Sequence, residues 1–200
     1  MEAILVQKDP EVDMQRTAAH LQPQECALMV VDIQQKLMPV IHERERVVKN
    51  SVLLLKTARV LNMPVLATTQ YAARIGPLIP EITAELGDIE PLDKLEFDCF
   101  ANCTVLQAAK VLPPDVKTLI VCGVESHICI YQTVVGGLAG GYTMWVAGDA
   151  VSSRIPANFE AGLQRMREIG AVVSTTEMII YDLLHRAGTP EFKALLPFLK

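Results

Sequence analysis

The stretch Thr118-Leu-Ile-Val-Cys-Gly-Val-Glu-Ser-His-Ile-Cys129 joins three signals in twelve residues. The run up to Cys122 is continuously apolar, as in a strand buried on both faces. Gly123 marks a turn, and Ser126 opens a helical pattern with Cys129 in its first turn. The first N–H groups of a helix lack partners and carry partial positive charge, which favours a thiolate over a thiol. Cys129 is therefore a candidate nucleophile on a strand–turn–helix unit.

The same unit repeats in both directions. Ala27–Val31 is a second apolar run, ending at Asp32, and a helical stripe runs from Arg44 to Leu61. Pro64–Thr69 reads as a strand. Residues 70–93 hold three prolines and two glycines and read as loop, with one helical turn at 81–86. A helix over 102–112 follows, closed by Pro113-Pro114. Thr118–Cys122 and Ser126–Leu138 form the next strand and helix, and Tyr142–Ala147 the next strand. Pro156–Ile169 is a helix capped by Gly170, Ala171–Ser174 a last strand, and Thr176–Arg186 a last helix ended by Gly188. Alternating strands and helices imply parallel strands with helices on both faces, a three-layer αβα sandwich of the Rossmann-like kind.

Composition narrows the function. The chain has 200 residues, half of them hydrophobic, with 18 Lys and Arg against 23 Asp and Glu, net charge −5. That suits one ordered domain, expected over 26–200 behind an N-terminal extension at 1–25, and gives no support for a nucleic-acid footprint. No apolar run reaches the roughly 18–20 residues of a membrane span. The acidic residues among 1–24 argue against a secretory or transit peptide, so a cytosolic protein is the simplest reading. Five cysteines, with no Cys-x-x-Cys pair, do not form a secreted disulfide framework. Cys26 and Cys122 read as small core residues, while Cys99 and Cys103 have the spacing of one helical face but no partners for zinc. No Gly-rich nucleotide-binding motif is present, and no cofactor or metal is expected.

In sheets of this kind ligands bind beyond the C-terminal ends of the strands. Asp32, Lys94 and Cys129 stand at such places. A carboxylate can take a thiol proton, an ammonium can hold the resulting charge, and the thiolate can attack a carbonyl. Each has a structural alternative: Asp32 as a helix cap, Lys94 as a solvated surface residue, Cys129 as a packed core thiol. Gln34 is expected to orient Asp32, contact substrate or make a structural hydrogen bond. Tyr71, Phe100 and Ile155 are candidate pocket residues, with core packing as the alternative. His127 points to another helix face than Cys129 and is not expected to be the base. Asp149 is expected to follow the fifth strand and brace the next turn. His42–Arg46 reads as a solvated helix start. The Gly136–Gly141 run reads either as a close-packing helix surface at a subunit interface or as helix-end punctuation.

Val-Val-Asp32-Ile-Gln34, Lys94-Leu-Glu-Phe97-Asp-Cys-Phe100 and Cys-Gly123-Val-Glu-Ser126-His-Ile-Cys129 resemble, in order, the three signature segments of the isochorismatase-like cysteine hydrolases. The likeness spans about residues 26–185. The long loop after Gln70 and Ser152-Ser153-Arg154 are most similar to the isochorismatase domain-containing branch, some of whose members carry the label of mitochondrion-associated ribonucleases. The resemblance implies a six-stranded parallel sheet and an Asp32–Lys94–Cys129 triad. In it Cys129 is the nucleophile, Asp32 the general base, and Lys94 the group that lowers the thiol pKa. It also implies a cis peptide at Val124–Glu125, an oxyanion hole from the N–H groups of Glu125 and Cys129, and a homo-oligomer. The chemistry implied is hydrolysis of a small amide through a thioester. The metal-binding histidines of nicotinamidases are missing from Thr68–Arg74, which argues against a metal-bound nicotinamide pocket. Glu125-Ser126-His127 and Asp98-Cys99-Phe100 also depart from the usual family residues. The alternatives are a ribonuclease or RNA-processing protein, and a catalytically silent scaffold.

Overall fold

Cys26–Val31 forms β1, buried along its whole length, in a computed structural model that describes residues 20–199. Most of the expected N-terminal extension, residues 1–19, lies outside the described residues. The side chains of β1 alternate between two cores. Cys26, Leu28 and Val30 enter one apolar cluster; Ala27, Met29 and Val31 enter the other. Side chains of a strand point to opposite faces in turn, so a run apolar at every position needs a helical layer on each side. Burying a large apolar side chain contributes about 1.5–3 kcal/mol, so β1 is a major source of stability.

The sheet is completed by β2 (Val65–Gln70), β3 (Leu92–Lys94), β4 (Thr118–Val124), β5 (Thr143–Ser152) and β6 (Val172–Ser174). All neighbours are parallel, in the order β3-β2-β1-β4-β5-β6. The helices are α1 (Arg44–Val60), α2 (Ala72–Ile75), α3 (Pro80–Leu86), α4 (Cys103–Lys110), α5 (Tyr131–Ala139), α6 (Pro156–Glu168), α7 (Thr176–Leu184) and α8 (Pro190–Leu195). Residues of α1, α3 and α7 line one core, and residues of α4, α5 and α6 the other. The strand order reverses between β1 and β4. In open α/β sheets such a reversal, beyond the carboxyl ends of the strands, is the usual place for a ligand.

Several elements differ from expectation. The 70–93 segment is not mainly loop: it holds α2, α3 and the start of β3. β3 has three residues and pairs only with β2, Gln70 opposite Lys94. A strand so short, held by backbone pairing at an edge, has no alternating pattern to read. The Ser126 helix begins as a wide π turn over Ser126–Ile130, where the N–H of Ile130 reaches back to the carbonyl of Glu125. α7 ends at Leu184, and α8 follows it.

Asp149 lies inside β5, not after it, and its carboxylate accepts from Thr176 N and Oγ1 at the start of α7. Arg46 is not merely a solvated helix start: it donates to the carbonyls of Asp149 and Val151 and covers the Phe159 ring. Cys99 and Cys103 do not share a helical face. Cys99 is buried in a 3-10 turn, and Cys103 is the exposed first residue of α4. Cys26 and Cys122 are core residues, each thiol pushed up to about 12, chiefly by burial. In the glycine run, a Cβ on Gly136 would stand 2.4 Å from Asp98 Oδ1 and one on Gly137 2.4 Å from Met144 Sδ, so these two permit close packing inside the chain.

Candidate active site

Asp32 follows β1 directly and adopts a left-handed conformation, φ 55°, which Asp tolerates better than most residues. Its backbone stays tied to both flanks, with Asp32 N donating to Thr68 O and Gln34 N to Asp32 O. The carboxylate then meets Thr68 Oγ1 at 2.8 Å and Lys94 Nζ at 2.7 Å. Lys94 also donates to Gln70 Oε1 at 2.8 Å. Both ions are fully buried. Burial works against the charged form of Lys94. Asp32, with the nearby thiols of Cys99 and Cys129, outweighs it and holds the ammonium above its ordinary value.

Cys129 sits in the π turn after β4, at 6 % exposure. Its resting thiol is not lowered. Burial pushes it up, and the Asp32 carboxylate pushes in the same direction; Lys94 works the other way and loses. Hence the helix-start charge does not decide the protonation state. A thiol this enclosed pays a desolvation cost on ionising that partial backbone charges do not cover. Cys99 is a second buried thiol near the pair, raised to about 11, mainly by burial. Its backbone N–H donates to Thr133 Oγ1 on α5.

The Val124–Glu125 peptide is cis. The carbonyl of Glu125 accepts from Ile128 and Ile130 N–H. Its carboxylate, nearly buried, accepts from the Arg154 N–H at 2.9 Å and from Arg154 Nε at 3.1 Å, while the guanidinium remains more than half exposed.

Of the residues expected to line a pocket, Tyr71 and Ile155 are exposed, directly after Gln70 on β2 and Arg154 beyond β5. Gln34 and Phe100 take the structural alternatives given for them, a hydrogen-bonding role and core packing. Gln34 is fully buried and spends its amide on Gln70 N, Gln70 O and Gly76 O, so it offers no surface to a substrate. Phe100 stacks on Tyr142 at 5.8 Å between centroids and belongs to the packed layer. The sequence did not point to Thr68 and Gln70, which orient Asp32 and Lys94. Their one signal is the i, i+2 spacing that puts both on one face of β2. Among the described residues no group of three His, Cys, Asp or Glu side chains is placed to hold a metal.

The fold and site together define an α/β protein with a buried carboxylate–ammonium pair and a thiol at the ends of β1, β3 and β4 in one parallel sheet. Residues 26–178 match the Isochorismatase domain model. The chain belongs to the isochorismatase family, and membership supports a hydrolase of this fold. It is 33% identical over 181 residues to the secreted isochorismatase effector Isc1 of Phytophthora sojae, covering 89% of this chain and 86% of that protein. It is 34% identical over 178 residues to human isochorismatase domain-containing protein 2, covering 89% and 84%. The solved structure of the MAR1 ribonuclease from Caenorhabditis elegans superposes with a TM-score of 0.83 at 29% identity, covering 90% and 92%. No helix among the described residues is long and apolar enough to cross a membrane.

Proposed function

We propose that this protein is a metal-independent cysteine hydrolase that cleaves a small amide or related carbonyl compound. The observation that carries the reading is the buried Asp32–Lys94 pair beside the Cys129 thiol. Asp32 takes the thiol proton as Sγ attacks the carbonyl carbon. Lys94, which spends two of its three donors on Asp32 and Gln70, offsets the developing negative charge. The N–H groups of Glu125 and Cys129 hold the oxyanion; one such donor is commonly worth about 2.7–4 kcal/mol. The tetrahedral adduct collapses, Asp32 returns its proton to the leaving amine, and a thioester remains on Cys129. Water, deprotonated by Asp32, then releases the acid and restores the thiol. A resting thiol raised by burial and Asp32 fits this order of events, because the proton leaves only as the new bond forms.

Self-association belongs to the same proposal. Tyr71, Leu95 and Phe97 around Gln70 and Lys94, together with Ile155, are exposed apolar side chains, and a second copy covering them would narrow the mouth of the site. The test is a panel of amides, carbamates and nicotinamide assayed with wild type and Cys129→Ser. Turnover by wild type alone, with an acyl adduct on Cys129 by mass spectrometry, is the expected result. Salt-sensitive RNA cleavage lost in Cys129→Ala, with no amide turned over, would replace this reading by that of a ribonuclease.

A further inference from the structure

Ser152, Ser153 and Arg154 are each tied to a different part of the molecule. Ser152 Oγ donates to the His42 carbonyl at 2.7 Å, and Arg154 grips the Glu125 carboxylate. Ser153, fully buried between them, places its hydroxyl 2.6 Å from Ser126 Oγ and 2.9 Å from His127 Nδ1. The row continues at both ends: His127 Nε2 lies 3.3 Å from Asn158 Nδ2, and Ser126 Oγ lies 3.5 Å from the Phe159 carbonyl.

The Phe159 end of this row has a fixed role, and Asn158 presents its NH2 at the other. An amide NH2 only donates, and a carbonyl only accepts. Direction therefore propagates along every link. Asn158 donates to His127 Nε2, His127 Nδ1–H donates to Ser153, Ser153 to Ser126, and Ser126 to Phe159 O. In this arrangement His127 carries a proton on Nδ1. Residue types alone suggest a second Ser–His nucleophile here, but the polarity is wrong for it. A nucleophilic serine must give its proton to the imidazole, whereas Ser153 receives one from it and has no exposed surface.

We propose that His127, as the Nδ1–H tautomer, is a positioning residue that locks the Ser153–Arg154 segment onto the Glu125–Cys129 turn. It joins three elements: the turn after β4, the residues after β5 and the first turn of α6. Arg154 then holds Glu125 by its side chain, and the turn presents its backbone N–H groups in one place. Gly162 permits this closeness, since a Cβ there would stand 2.9 Å from Ser126 C and 3.0 Å from His127 N. Donors to an oxyanion lose their effect when displaced by about 0.5 Å, so a lock of this kind acts on turnover more than on binding. The catalytic consequence rests on the cysteine-hydrolase reading; the tautomer does not.

The decisive measurement is a long-range 1H–15N correlation spectrum of 15N-histidine-labelled protein, with the His127 signal assigned by its loss in His127→Asn. The Nδ1–H pattern is expected, shifting when Ser153→Ala removes the acceptor. An Nε2–H pattern overturns the proposal. Kinetics supply the second arm, with whichever amide the wild type hydrolyses. His127→Ala is expected to lower kcat about 10-fold or more while leaving KM within about 2-fold, and His127→Asn, whose amide can replace the Nδ1–H donor, to recover most of it. Iodoacetamide alkylation of Cys129, which develops no oxyanion, should stay the same in both variants. Equal loss in both, or a parallel fall in alkylation, overturns the proposal. If no amide is hydrolysed by the wild type, the hydrolase reading fails, and the tautomer spectrum still decides the lock.

Discussion

Asp32 and Lys94 act on the Cys129 thiol in opposite directions, and that opposition yields a sharp test. Asp32 raises the thiol and Lys94 lowers it, with burial also raising it. In Asp32→Asn the upward push of the carboxylate is gone, and the buried ammonium needs a new counter-ion. A thiolate on Cys129 can serve. The sign is a lowered thiol pKa, so iodoacetamide should label Cys129 faster in Asp32→Asn than in wild type at about pH 7, where a free thiol of pKa about 8.5 is mostly protonated. Amide turnover should vanish at the same time, because the base is lost. Slower labelling in the variant would show that Lys94 does not govern the thiol. Breaking a buried pair by removing one partner costs about 3–5 kcal/mol, and the new Lys94–Cys129 pair should offset part of it, visible in urea melts at low and neutral pH. Asp32 and Cys129 are legible in sequence because each ends or closely follows a long apolar run. Thr68 and Gln70 are not, since polar residues at the end of a strand look like the beginning of a loop.

At the scale of elements, the site depends on close backbone approaches that only glycine allows. Gly123 has φ +124°, and a Cβ there would fall 1.9 Å from the Val31 carbonyl oxygen, so β4 could not pair with β1 at that point. Gly162 is the finer probe. A Cβ there must push α6 off the Ser126–His127 backbone by several tenths of an ångström. Overpacking of that kind commonly costs about 1–3 kcal/mol. Gly162→Ala is expected to lower the urea midpoint with an unchanged m-value, and to reduce turnover by more than its loss of stability accounts for at a temperature where it is fully folded. Unaltered turnover would mean that the α6 contact does not shape the nucleophile turn. The elements themselves were unequally legible. The central strands announce themselves by apolar runs, because they are buried on both faces. β3 does not, because three residues at a sheet edge are placed by their pairing to β2 rather than by their own composition. The π turn is equally silent in sequence, since it arises from how the chain leaves β4 rather than from a residue pattern.

For the whole molecule, the cysteines tie stability to alkaline pH. Cys26, Cys99, Cys122 and Cys129 are all buried, and burial raises each thiol, to about 12, about 11 and about 12 for the first three. In the unfolded chain the same thiols titrate near pH 8.5. Above that pH the unfolded state holds fewer protons than the folded one, so the free energy of unfolding falls as pH rises. Below it all four are protonated in both states and the effect is absent. Each thiol costs about 1.4 kcal/mol per pH unit once ionised in the unfolded chain, and four together remove roughly 10 kcal/mol by about pH 10.5. A domain is commonly stable by about 5–15 kcal/mol, so cooperative alkaline unfolding is expected near pH 10. Cys122→Ala should flatten the slope by about one quarter above pH 9 while lowering stability at neutral pH through the cavity it leaves. Urea denaturation at a series of pH values from 7 to 10 reads both effects. A stability that stays level across that range would mean that the four thiols are not held protonated by the fold, and the order of proton transfer assigned to Cys129 would fall with them.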